Sequence, residues 1–70
     1  MKVRYQVGNP ADFVERWVDL GRVVEATYIE ASHVPANLTL VFDYGGPRKV
    51  LSGMIAQRVY ALLSEGALEV

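Results

Sequence analysis

Residues 9–21 read NPADFVERWVDLG, and whether this stretch coils or extends decides the fold. Read for helix chemistry, it is consistent from end to end. Asn9 can accept from free backbone donors, and Pro10 at a first helical position gives up no hydrogen bond. Asp12 falls in the first turn, where the helix dipole favours an anion. Phe13, Val14, Trp17, Val18 and Leu20 recur at spacings of one, three and four on one side, with Asp12, Glu15, Arg16 and Asp19 on the other. Gly21 then supplies a left-handed stop. The stretch predicts a helix from about Pro10 to Leu20.

Around it the pattern changes to period two. Val3, Tyr5 and Val7 alternate with Lys2, Arg4 and Gln6, a half-buried strand that Gly8 ends. Downstream, Arg22 to Ala31 is rich in Val, Thr, Tyr and Ile and predicts a long strand. Val24, Ala26 and Tyr28 share one of its faces, and Val23, Glu25, Thr27 and Ile29 the other. SHVPAN interrupts the alternation, since Pro35 forces its predecessor extended and Asn37 suits a turn. Leu38, Leu40, Phe42 and Tyr44 then alternate with Thr39, Val41 and Asp43, and DYGGPRK at 43–49 turns the chain into 48–51 as a second hairpin or a kinked continuation. Ser52 caps a second helix with Ile55, Val59, Leu62 and Leu63 as its apolar stripe, Gly66 ends it, and ALEV at 67–70 can add a last strand.

The expected fold is a single α+β domain over 1–70, with a small mixed or antiparallel sheet and two helices packed on one face. Its order is β-α-β-β-(β)-α-(β). With the last strand this approximates a ferredoxin-like arrangement; without it, a meander carrying two helices.

Composition narrows the function classes. Seventy residues without cysteine have no disulfide to add to a small core, no thiolate nucleophile and no cysteine zinc site. A single histidine, His33, gives no His-based metal site within one chain, and no cofactor motif is present. A net charge of −1 gives no global field for nucleic acid or anionic membrane, and no apolar run approaches the roughly 20 residues that span a bilayer. The N-terminal segment has no signal-peptide core, so a cytoplasmic protein is expected. The 51% apolar share is high for so small a chain and favours a buried self-association surface.

The glycine pair in DYGGPRK raises the question of a phosphate cradle, with Arg48 and Lys49 adding charge. Pro47 has no amide proton to give, and no phosphate-loop spacing surrounds the glycines. A turn with Gly45 and Gly46 at positive φ, and Asp43 paired to Arg48 or Lys49, is the simpler reading. Lys2, Arg4, Arg48 and Lys49 make a basic strip only if the first strand neighbours this hairpin, and Tyr5 points away from that strip; nucleic acid is therefore not the expected partner. His33 in its turn, and Glu15 with Asp19 one helical turn apart, read as polar surface. Val23, Ile29 and Val41 fall on the strand faces opposite Tyr28 and Phe42, and an apolar face left uncovered marks an interface.

The expectation is a non-catalytic binding protein, a small regulator, inhibitor or accessory subunit. It would act through protein contacts as a homo-oligomer, with Val23, Ile29 and Val41 at the interface. The alternative is a binder of a small anionic or nucleotide-like ligand at a subunit interface, using Tyr44, Gly45, Gly46, Arg48 and Lys49. Weak, sequence-tolerant nucleic-acid binding is a third reading, and no membrane contact is expected.

Overall fold

The computed structural model of the chain describes residues 1–9, 11–65 and 67–68. It is an α+β structure with one helix and two antiparallel sheets. Strands β1 (Lys2–Asn9) and β2 (Asp12–Asp19) form a two-stranded ribbon. After a 3-10 turn at Leu20–Arg22, strands β3 (Val23–Ala31), β4 (Val34–Phe42) and β5 (Lys49–Ser52) form the second sheet in that order, and helix α1 (Gly53–Ser64) follows.

Within the expected helix over 10–20, Asp12–Asp19 is a strand, and the two-helix, ferredoxin-like arrangement is not what forms. The reason is visible in the pairing. Phe13-Val14 and Trp17-Val18 are doublets, so they satisfy a helical stripe and a strand alternation equally well. Strand β1 needs a ladder partner, and β2 supplies it in full register from Lys2 opposite Asp19 to Asn9 opposite Asp12. Valines and aromatics suit that pleated surface better than a helix. Asn9 does accept from backbone donors, at 3.0 Å from the Ala11 amide and 2.9 Å from the Asp12 amide. This is the chemistry of a helix cap serving a reverse turn instead.

Two glycines behave differently from expectation. Gly8 does not end β1 but lies within it, opposite Phe13, at φ 106°. A Cβ there would meet the Asp12 carbonyl oxygen at 2.6 Å, so the ribbon closes only around a glycine. Gly21 is not left-handed; the Asp19 carboxylate accepts from its amide at 3.0 Å and starts the 3-10 turn.

In the second sheet the ladder puts Tyr28 opposite Leu38 and Leu38 opposite Leu51, one face of which α1 covers. Leu38 and Leu40 at its centre are fully buried, with Ala36, Leu51, Ala56 and Val59 around them. The register shifts between Val23 and Glu25. That irregularity places Val23 opposite Phe42 and against the core, so Val23 does not share a face with Ile29 and Val41 as the unbroken alternation predicts. Ser52 precedes α1 as expected but makes no side-chain capping bond. Of the expected last strand, Ala67 and Leu68 lie in no strand, while Gly66, Glu69 and Val70 fall outside the described residues. From the ribbon, Tyr5 and Val18 join the main core with Leu20, and Val3 and Val7 pack beside them.

Candidate functional site

The five residues proposed from the 43–49 stretch do not converge. Residues 43–48 connect β4 to β5, and the turn is of the simpler kind, with the Gly45 amide 3.4 Å from the Phe42 carbonyl oxygen. Gly45 is at φ 76°, but Gly46 is not left-handed. Asp43 pairs with Arg22 at 3.0 Å rather than with Arg48 or Lys49. The Arg22 guanidinium also lies 5.5 Å from the centre of the Tyr44 ring, which stacks on Phe42 at 5.3 Å. Tyr44 is thus held to its own loop. Lys49 leaves the loop altogether: it is the first residue of β5, opposite buried Leu40, and its ammonium sits 5.9 Å from the centre of the Tyr5 ring.

The basic strip is not assembled either. Strand β1 pairs with β2 alone, so Arg4 meets Glu15 at 3.3 Å and lies 5.7 Å from the Trp17 ring, on the ribbon's outer face. Trp17, expected in the core, is 63% exposed there. Glu15 and Asp19 stand four positions apart along strand β2, and His33 is exposed in the β3–β4 turn. On the helix side, Tyr28 stacks on Tyr60 at 3.9 Å and donates to Glu30 Oε1 at 3.1 Å. Loss of hydration, and then that bond to the Glu30 carboxylate, push the Tyr28 phenol up from 10.0.

What the fold does leave open is one face of the second sheet. The residues that alternate with Leu38, Leu40 and Tyr28 point away from α1: Thr27, Ile29, Thr39, Val41 and Val50. By register Asn37 and Ser52 share that face, and Glu25 is the one charge among its paired, described strand residues. Ile29 is 58% exposed and Val50 56%, and no described element covers them. The whole chain exposes 5489 Å², against roughly 4,400 Å² for a self-contained monomer of 7.8 kDa. Its radius of gyration is 12.7 Å, against roughly 11 Å for a compact chain of this length. The surplus, about 1,100 Å², is the size of one side of a specific protein interface, which buries roughly 800 Å² per partner.

Among the described residues no cluster of His, Asp or Glu could hold a metal ion, and no helix is long and apolar enough to cross a membrane. Comparison with protein-family models, curated proteins and solved structures finds no match for this chain.

Proposed function

We propose that this chain is a non-catalytic binding protein, a small regulator, inhibitor or accessory subunit, that works as a homo-oligomer joined through the outer face of the β3–β4–β5 sheet. The observation that carries this reading is the surplus of about 1,100 Å² of surface together with a sheet face of Thr, Ile and Val. A second copy suits that face because it is nearly uncharged: a two-fold contact brings each patch against itself, and like charges would oppose one another there. Ile29 and Val41 keep the interface role assigned to them from sequence; Val23, turned to the core by the bulge, does not.

Sedimentation equilibrium tests this directly. The wild-type chain should be dimeric or larger at about 10 μM, the range a standard-sized interface supports. Ile29→Lys should be a folded monomer, because the side chain is already exposed in one subunit. A wild-type chain that stays monomeric at about 100 μM would overturn the proposal.

A further inference from the structure

The ribbon lies across the start of α1, and two clefts open along that seam, of about 610 Å³ and 410 Å³. They share Tyr5 and Ile55. The smaller one is lined by Arg16 from β2, Lys49 from β5 and Ser52 at the head of the helix; Arg58 of α1 lines the larger one. No described carboxylate lines either cleft, and none of these three cations makes an ion pair with a described residue. Arg4 and Arg22, by contrast, are both paired. An unneutralised arginine and lysine converging on a partly apolar cleft beside an uncapped helix start form a positive site with donors to spare.

Tyr5 joins the two clefts. It stands directly opposite Arg16 in the ribbon, and the Lys49 ammonium lies 5.9 Å from the centre of its ring, so both cations of the smaller cleft neighbour one buried aromatic side chain. Its hydroxyl oxygen is closed off and without a partner, so the ring rather than the hydroxyl is what it presents to the cleft.

We infer that the smaller cleft binds a small organic anion, with a phosphate or carboxylate head held by Arg16 and Lys49 beside the Tyr5 ring. Its compact apolar body lies against Val7 and Ile55. The cleft volume is in the range of small-molecule sites, roughly 300–1,000 Å³. The site lies within one subunit; Val50 lines both this cleft and the sheet face, so Ile29→Lys, which touches the face alone, keeps the two tests distinguishable.

Titration of the labelled full chain with phenyl phosphate and with benzoate, followed by amide chemical shifts, tests the assignment and separates the two head groups. At least one probe should bind saturably with Kd below about 1 mM at low salt, shifting the amides of Ser52 to Ile55. Arg16→Gln and Lys49→Gln should each weaken it about tenfold or more, the worth of one charge-assisted hydrogen bond. Tyr5→Phe keeps the ring and removes only a closed-off hydroxyl, so it should change Kd less than about twofold. Lys2→Gln removes the same charge on the ribbon's outer face and should change Kd less than about twofold. Absence of saturation by both probes at about 10 mM would overturn the site, and so would a Lys2→Gln loss equal to that of Arg16→Gln.

Discussion

Removing a hydroxyl from the core should make this protein more stable. The Tyr5 hydroxyl is buried without a partner on a side chain only 8% exposed, so the folded state carries the desolvation of a phenol and receives no bond in return. That penalty is roughly 1–3 kcal/mol for a neutral group. Tyr5→Phe removes it and leaves a gap of one oxygen atom, which gives back part of the gain in lost contacts. A net stabilisation of about 1 kcal/mol is the expected balance. With an unfolding entropy of about 2.1 cal/mol/K per residue over 70 residues, that raises Tm by about 7 °C. Urea unfolding followed by Trp17 fluorescence reads it as a higher midpoint at unchanged slope. A ligand at ten times its Kd adds about 1.4 kcal/mol to wild type and variant alike, because the closed-off hydroxyl is not presented to the cleft, so the gap between the two should persist when phenyl phosphate or benzoate binds. The reasoning is refuted if Tyr5→Phe lowers stability by more than about 0.5 kcal/mol without ligand, because the hydroxyl would then have a partner within the fold.

Three further substitutions probe the ribbon and the helix face. Gly8→Ala places a methyl group 2.6 Å from the Asp12 carbonyl oxygen at φ 106° and should cost about 2 kcal/mol or more by urea unfolding. Trp17→Ser should cost less than about 1 kcal/mol, because the indole stands on the ribbon's outer face; a loss of roughly 3–5 kcal/mol would mean the side chain is core, as the helical reading had it. Tyr28→Phe should remove a component titrating above 10.0 from the ultraviolet phenol titration. Because the folded value is raised, the fold favours the neutral phenol. This contribution is complete below 10.0 and is lost as pH rises through the folded value, so Tyr28→Phe should flatten the loss of stability in that alkaline window.

The elements legible in the sequence are those whose pattern admits one period. Val3, Tyr5 and Val7 can only be a strand face, and Leu38, Leu40 and Phe42 carry the centre of the larger sheet where alternation puts them. Ile55, Val59, Leu62 and Leu63 trace one side of α1. Residues 12–19 admit two periods, and what decides between them is a partner strand ten residues away, which no local pattern contains. The Val24 bulge was hidden for a similar reason: one extra residue in a Val- and Thr-rich strand leaves the composition unchanged while turning Val23 inward. The candidate cleft was out of reach because Tyr5, Arg16 and Lys49 meet only once the ribbon exists; read as a helix, 10–20 sends Arg16 to solvent. One signal was available, namely that Lys2 and Arg4 face residues of opposite charge, Asp19 and Glu15, across an antiparallel hairpin.

The cationic seam follows from the choice between strand and helix at 12–19. A strand at 12–19 in place of a helix leaves a single helix to cover two sheets, and α1 is spent on β4 and β5. A two-stranded ribbon is marginal by itself, so β1 and β2 must lean on the main core through Tyr5 and Val18. Leaning there brings Arg16 across to Lys49, where no carboxylate of the seam answers them. The outer face of the second sheet is open for a different reason: helices packed on one sheet face, one or two, leave the other uncovered, and Ile29 stands exposed there. The ribbon, leaning on the main core by one side only, exposes Phe13, Val14 and Trp17 on strand β2, and these share in a surface roughly a quarter larger than the mass requires.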